Sequence, residues 1–111
     1  MIGVFGGTFD PVHIGHLRSA WEVRESLRIR DFRLLPAGQP PHKLDQALTD
    51  PEHRLAMVRL AVGGHPGYAV SRIDVDRPQP CYSVDTVRLL QEAWGPAARI
   101  FFLFGADSLF D

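Results

Sequence analysis

Short apolar runs alternate with amphipathic helical patterns along the whole of this 111-residue chain. Within the first and last runs, residues 2–5 and 100–104, apolar residues follow one another without polar interruption, which is typical of strands that helices cover on both faces. Strict alternation of strand and helix predicts parallel pairing, because each parallel strand needs a crossover back to the same end of the sheet. The predicted strands are residues 2–5, 32–35, 68–74 and 100–104, and the predicted helices are residues 15–27, 51–62 and 83–94.

This order of elements predicts an α/β fold of the doubly wound, Rossmann-like kind, an open parallel sheet with helices on both faces. The length predicts one domain over residues 1–111. In such sheets a ligand binds beyond the carboxyl ends of the strands, where the winding reverses. Glycines follow both the first and the last predicted strand, as Gly6-Gly7 and Gly105. We therefore expect the functional site at these two strand ends.

The run GGTFDPVHIGH, residues 6–16, carries the chemistry expected at that edge. Glycines let the backbone approach a bulky anion and adopt a positive φ, and the following helix start offers unpaired N–H groups. His13 and His16, three residues apart, project toward the same side and form a cationic pair beside phosphate. Gly15 between them leaves room for a nucleotide against the helix. The run predicts a phosphate site.

Two other interpretations of the same run stay open. His-x-x-His can bind a metal ion, although zinc usually has three or four protein ligands and no nearby cysteine or carboxylate cluster completes a set. The second interpretation is ordinary capping of the helix by Thr8, Asp10 or a histidine.

Charge and cysteine content favour a soluble cytoplasmic protein. The formal net charge is -1, so we expect neither nucleic acid nor an anionic membrane as a partner. Cys81 is the single cysteine, which excludes an internal disulfide and fits a reducing compartment. The N-terminus lacks the pattern of a secretory signal. Trp21 and Trp94 lie on helical apolar stripes, and we expect both in the core.

The glycine-rich start followed by HxGH resembles the motif of the nucleotidyltransferase superfamily. Four further segments, in order, are LLPAGQPPHK, DPEHRLAMVRLAV, CYSVDTV and FGADSL. Together they are similar to the bacterial nicotinate-nucleotide adenylyltransferase family. This resemblance implies transfer of AMP from ATP to nicotinate mononucleotide, giving nicotinate adenine dinucleotide and pyrophosphate in NAD biosynthesis. It implies ATP and nicotinate mononucleotide as partners, Mg²⁺ entering with ATP and no protein-held metal, and it leaves self-association open.

The resemblance also implies a role for each matching position. His13, His16 and Lys43 would be the catalytic residues. The implied ATP contacts are Gly6, Gly7, Thr8, Phe9, His13, His16, Gly105 and Asp107. The implied substrate contacts are His42, Lys43, Arg54, Tyr82, Ser83 and Thr86. Arg54 would contact phosphate or orient a loop; its plainer alternative is a surface ion pair with Asp50 or Glu52.

Two elements of the family, a Ser/Thr-rich motif ending in arginine and a tryptophan soon after the FGAD segment, have no counterpart in these residues. We therefore expect the chain to lack the C-terminal part of a longer enzyme. One alternative function is another HxGH nucleotidyltransferase, such as pantetheine-phosphate adenylyltransferase. The other is a non-catalytic nucleotide-binding module.

Overall fold

The computed structural model describes residues 1–38, 49–77 and 83–104. Strands and helices alternate in the predicted order. Their bounds are β1 Ile2–Gly7, α1 Ile14–Leu27, β2 Asp31–Pro36, α2 Pro51–Val62, β3 Tyr68–Val70, α3 Ser83–Trp94 and β4 Ile100–Phe104. None of the helices in these ranges has the length and apolarity that crossing a bilayer requires.

The four strands form one parallel sheet in the order β3-β2-β1-β4. The chain moves outward from β1 through β2 to β3, then crosses back over the sheet and adds β4 on the other side of β1. The winding therefore reverses between β1 and β4. This confirms the doubly wound α/β fold, and it places the reversal at the two glycine-bearing strand ends.

Each face of the sheet has its own apolar cluster. Helices α1 and α2 pack on one face, where the buried side chains are Phe5, Phe9, Ala20, Ile29, Phe32, Leu34, Val58 and Val62. Helix α3 packs on the other face through Leu90 and Trp94, against Val4 and Leu35. Successive strand residues point to opposite faces, so neighbours such as Val4 and Phe5 belong to different clusters.

The edge strand β3 is shorter than predicted. It ends at Val70 rather than at Asp74, because it pairs only with Phe32, Arg33 and Leu34 of β2. Beyond it the chain turns and directs Asp74 inward, where the side chain is buried. The apolar pattern of this stretch therefore reflects packing beneath α3 as well as pairing in the sheet.

The two tryptophans differ in their environment. Trp94 is partly buried against the α3 cluster, and the Arg33 guanidinium lies 4.8 Å from the centroid of its ring. Trp21 is 55% exposed, so its predicted place in the core is wrong. Its neighbour Ala20 is the α1 residue that faces the sheet, and a side chain one position further along the helix points about 100° away.

Helix α2 begins as an Asp-Pro pair in the sequence predicts, with Asp50 as the N-cap. The carboxylate of Asp50 accepts a hydrogen bond from the backbone N–H of Glu52 at 2.8 Å, and Pro51 takes the first helical position. Helix α2 then begins at the carboxyl edge of the sheet, as a crossover helix must. This position brings its first turn next to the loops that follow β1 and β2.

Candidate functional site

The candidate site lies at the carboxyl ends of β1 and β4. All three helices begin along the same edge of the sheet. Gly6 and Gly7 are the last two residues of β1, and the expected positive φ is wrong for both. A Cβ on Gly6 would lie 3.1 Å from the Phe102 ring, and one on Gly7 would lie 3.1 Å from the Phe9 ring. Here glycine gives two aromatic rings room to pack against the backbone.

His13 and His16 meet at the N-terminus of α1. Their rings stack with centroids 3.7 Å apart and planes 23° from parallel. His13 is the N-cap, and its Nδ1 accepts a hydrogen bond from the N–H of Gly15 at 3.1 Å. The Nδ1 atom of His16 accepts one from the N–H of His13, also at 3.1 Å. The structure thus brings the two predicted histidines together, and it also shows the histidine capping that was left open.

Phe9 supports this pair from inside the protein. Its ring is 2% exposed and packs edge-on against the His16 ring with centroids 5.0 Å apart. Phe5 packs against both rings in turn. The Phe9 side chain is enclosed by the apolar core beneath α1, and the ATP contact that the resemblance implies for this residue stays a prediction. Its contribution is to hold the His16 ring in place.

Burial and hydrogen bonding favour a neutral imidazole at His16 in the free protein. Burial lowers the pKa of His16, and the adjacent His13 lowers it further. In addition, a protonated ring would carry a proton on Nδ1 and could no longer accept the backbone N–H. The cationic pair expected beside bound phosphate stays a prediction.

We expect acid to destabilise the protein through His16. The unfolded chain takes up this proton at a pKa of about 6.5, whereas the folded-state pKa is lower. The unfolded state therefore binds more protons below that pH, and stability falls as pH decreases. Urea midpoints measured at about pH 7.5 and pH 5 should differ more for the parent protein than for His16→Ala. An equal difference in both proteins would contradict this expectation.

Arg54 of α2 is fully buried and joins three segments of the backbone. Its guanidinium donates to the carbonyl oxygens of Thr8 at 2.8 Å, Ala37 and Gly38 at 2.7 Å, and Thr49 at 2.8 Å. These bonds use four of its five N–H donors. They tie the loops that follow β1 and β2 to the start of α2. The alternative of a surface ion pair with Asp50 or Glu52 is wrong, because the side chain has no exposed surface.

A second tether connects the same loops. The carboxylate of Asp10, in the β1–α1 loop, accepts the backbone N–H of Thr49 at 2.9 Å. Burial lowers the pKa of the Arg54 guanidinium, and the nearby carboxylates of Asp10 and Asp50 act in the opposite direction. The geometry is that of a loop-orienting arginine; a contact between Arg54 and phosphate stays a prediction. Asp10 was a capping candidate for α1, and its tether to Thr49 was missed because the two residues are 39 positions apart.

Thr86, a predicted substrate contact, faces the protein interior. The side chain is 1% exposed, and its hydroxyl donates to the Asp74 carboxylate at 2.7 Å. Arg77 donates to the same carboxylate at 2.7 Å and to the Thr86 hydroxyl. Burial raises the pKa of Asp74, while its bonds to Thr86 and Arg77 lower it. This buried cluster fixes the first turn of α3 to the segment after β3, and it was missed because a carboxylate and an arginine normally predict surface.

Several predicted site residues lie outside the described residues. They are His42, Lys43, Tyr82, Gly105 and Asp107. Ser83 is the first residue of α3. The roles that the resemblance implies for these six residues stay predictions. Among the residues that the structure does describe, no group of three or more histidine, cysteine or acidic side chains is placed to hold a metal ion.

Comparison with known proteins identifies similar chains. The family described as cytidylyltransferase-like matches residues 4–111. Proteins named probable nicotinate-nucleotide adenylyltransferase are similar over 99% of this chain, at 50% identity in Thermomicrobium roseum and 46% in a Roseiflexus species. The chain spans 51% and 54% of those two relatives. A solved Plasmodium falciparum nicotinic acid mononucleotide adenylyltransferase, complexed with NaAD, shares the fold with a TM-score of 0.72 at 19% identity, over 94% of this chain and 50% of that one.

Proposed function

This chain belongs to the cytidylyltransferase-like family, and from that premise we propose that it transfers an adenylyl group from ATP to nicotinate mononucleotide and releases pyrophosphate. The observation that carries the reaction class is the stacked pair His13 and His16 at the start of α1, beside the reversal of winding between β1 and β4. The names of the relatives from Thermomicrobium and Roseiflexus support the choice of acceptor.

Three helix N-termini at one edge of the sheet suit a reaction between two polyanions. Helices α1 and α2 begin on one face and α3 on the other, and each N-terminus carries partial positive charge. One nucleotide phosphate chain at α1 and a second anionic group toward α3 would both be favoured. The anionic acceptor then needs no general base, because its phosphate oxygen is already ionised.

The proposed step is a direct in-line displacement. A phosphate oxygen of the acceptor forms a bond to the α-phosphorus of ATP, the bond to the bridging oxygen breaks, and pyrophosphate leaves with that electron pair. His13 and His16 donate to the phosphate oxygens and stabilise the charge that builds on the leaving group. Alignment of the two substrates contributes about 7–11 kcal/mol of the reduction in barrier.

Mg²⁺ belongs to this proposal as part of the nucleotide. It is held by the phosphates of ATP and by water, which is usual for this ion at phosphoryl-transfer sites. It supplies charge neutralisation on the departing pyrophosphate. The proposal assigns no residue of this chain to the ion.

Comparison of acceptors tests the proposal. With ATP and Mg²⁺, pyrophosphate release should be faster with nicotinate mononucleotide than with nicotinamide mononucleotide by roughly tenfold or more, because a carboxylate forms stronger hydrogen bonds with N–H and hydroxyl donors than an amide does. ATP without an acceptor is the control. Faster pyrophosphate release with phosphopantetheine would assign the pantetheine-phosphate adenylyltransferase activity instead. ATP binding without pyrophosphate release from any acceptor would identify a non-catalytic module.

A further inference from the structure

Gly15 has no room for a side chain at the point where the two histidines meet. A Cβ at this position would lie 2.9 Å from Cε1 of His13 and 3.0 Å from its Nδ1. Packed carbon atoms sit about 3.5–4.0 Å apart, so such an approach is repulsive. The atoms in the way belong to the His13 ring and not to the backbone. The folded-back position of that ring therefore depends on the absence of a side chain at residue 15.

The folded-back ring decides which nitrogen carries the proton. Nδ1 of His13 accepts from the Gly15 N–H, and Nδ1 of His16 accepts from the His13 N–H. A neutral imidazole has one donor and one acceptor nitrogen, so both rings must carry their proton on Nε2. The rings are nearly parallel, and both turn Nδ1 toward the helix backbone. Both Nε2–H groups consequently point away from the helix and are available as donors.

We propose that Gly15 is a positioning residue that acts through His13: because it has no side chain, the His13 ring caps α1 and both histidines are held as Nε2–H donors. The proposal rests on the proposed function only in naming phosphate oxygens as the acceptors. It adds a role to the expectation that Gly15 makes room for a nucleotide, because the side chain nearest to that position is the His13 ring.

The first test reads the tautomers directly in the protein without substrate. Imidazole ¹⁵N chemical shifts, recorded at neutral pH, should show the Nε2–H form for both His13 and His16. The exposed residues His53 and His65 serve as internal references. An Nδ1–H tautomer or an imidazolium at either position would overturn the assignment. Because no nucleotide is present, the result does not depend on which reaction the protein performs.

The second test separates the two roles of Gly15 by a double-mutant cycle. Gly15→Ala should lower kcat on the order of tenfold, a smaller loss than that of a whole donor, and the His13 shifts should move toward a tautomer mixture. In a His13→Asn background the same Gly15→Ala change should alter the rate less than about twofold, since independent effects would add. Equal losses in both backgrounds would show that Gly15 contacts the nucleotide, and would overturn the proposal.

Two controls complete this experiment. Gly15→Ala should leave the unfolding midpoint nearly unchanged, because the higher helix propensity of alanine offsets the loss of the His13 cap. Ser19→Ala, at an exposed position of the same helix, should change neither rate nor ¹⁵N shifts. If no acceptor supports turnover, the cycle is read from the affinity for tripolyphosphate, with the same expected pattern and the same overturning result.

Discussion

Replacement of His16 by alanine is expected to lower turnover by about 10²–10³-fold, the usual effect of removing one preorganised donor from a developing negative charge. The ring is held on two sides, by the stacked His13 ring and by the edge of Phe9. Its donor is therefore aimed before substrate arrives, and no reorganisation is needed during reaction. Because the contribution is made mainly in the transition state, the loss should appear in kcat more than in KM.

Steady-state kinetics with ATP and nicotinate mononucleotide would check this expectation. Folding should change far less, by about 1 kcal/mol, since His16 is only partly buried. His65→Ala is the matched control, because His65 lies just after the C-terminal end of α2, at the opposite edge of the sheet. A His16→Ala protein that turns over at nearly the parent rate would remove the histidine pair from the mechanism.

Replacement of Arg54 by methionine is expected to have the largest effect on stability, on the order of 4 kcal/mol. The change leaves four backbone carbonyls without their guanidinium partner, and an orphaned buried polar group costs about 1–3 kcal/mol. Some of that loss is recovered where a carbonyl relaxes toward water. Small domains are stable by only about 5–15 kcal/mol, so the variant should be close to unfolding at ambient temperature.

Chemical denaturation of two methionine variants would test this. Arg59→Met lies on the exposed face of the same helix and should change the free energy of unfolding by less than about 0.5 kcal/mol. Arg54→Lys should fall between the parent and Arg54→Met, because an ammonium group has three donors where the guanidinium uses four. Similar midpoints for the Arg54 and Arg59 variants would show that the buried bonds contribute little.

The sequence predicts the fold well because the fold depends on the order of strands and helices, which short stretches of residues determine. Largely apolar strands and amphipathic helices in strict alternation leave little choice but a parallel, doubly wound sheet. The cap at Asp50 marks the start of α2, and Gly63 and Gly64, which follow its last residue, mark its end. The position of the histidine pair then follows from topology, since β1 must neighbour both β2 and β4.

The side chains that pattern alone does not place are those whose environment is set by tertiary packing. Arg54 reads as a surface residue by type, yet it stands four and eight residues before Val58 and Val62, on the buried stripe of α2. That spacing was a usable signal. Thr86 and Trp21 carried no such signal, because one faces a carboxylate twelve residues away and the other lies at the margin of its stripe. The local residue pattern predicts helices and strands better than it predicts the side-chain contacts between them.

The partners of Arg54 are all main-chain oxygens, and this has a consequence for redesign. Because Arg54 binds only backbone carbonyl oxygens, its hydrogen bonds do not depend on which side chains the two loops carry. Residues there can be exchanged to suit a different acceptor while the loops keep their spacing, provided that the new residues tolerate the same dihedral angles. The buried arginine of α2 thus holds the two loops in position whatever side chains they carry.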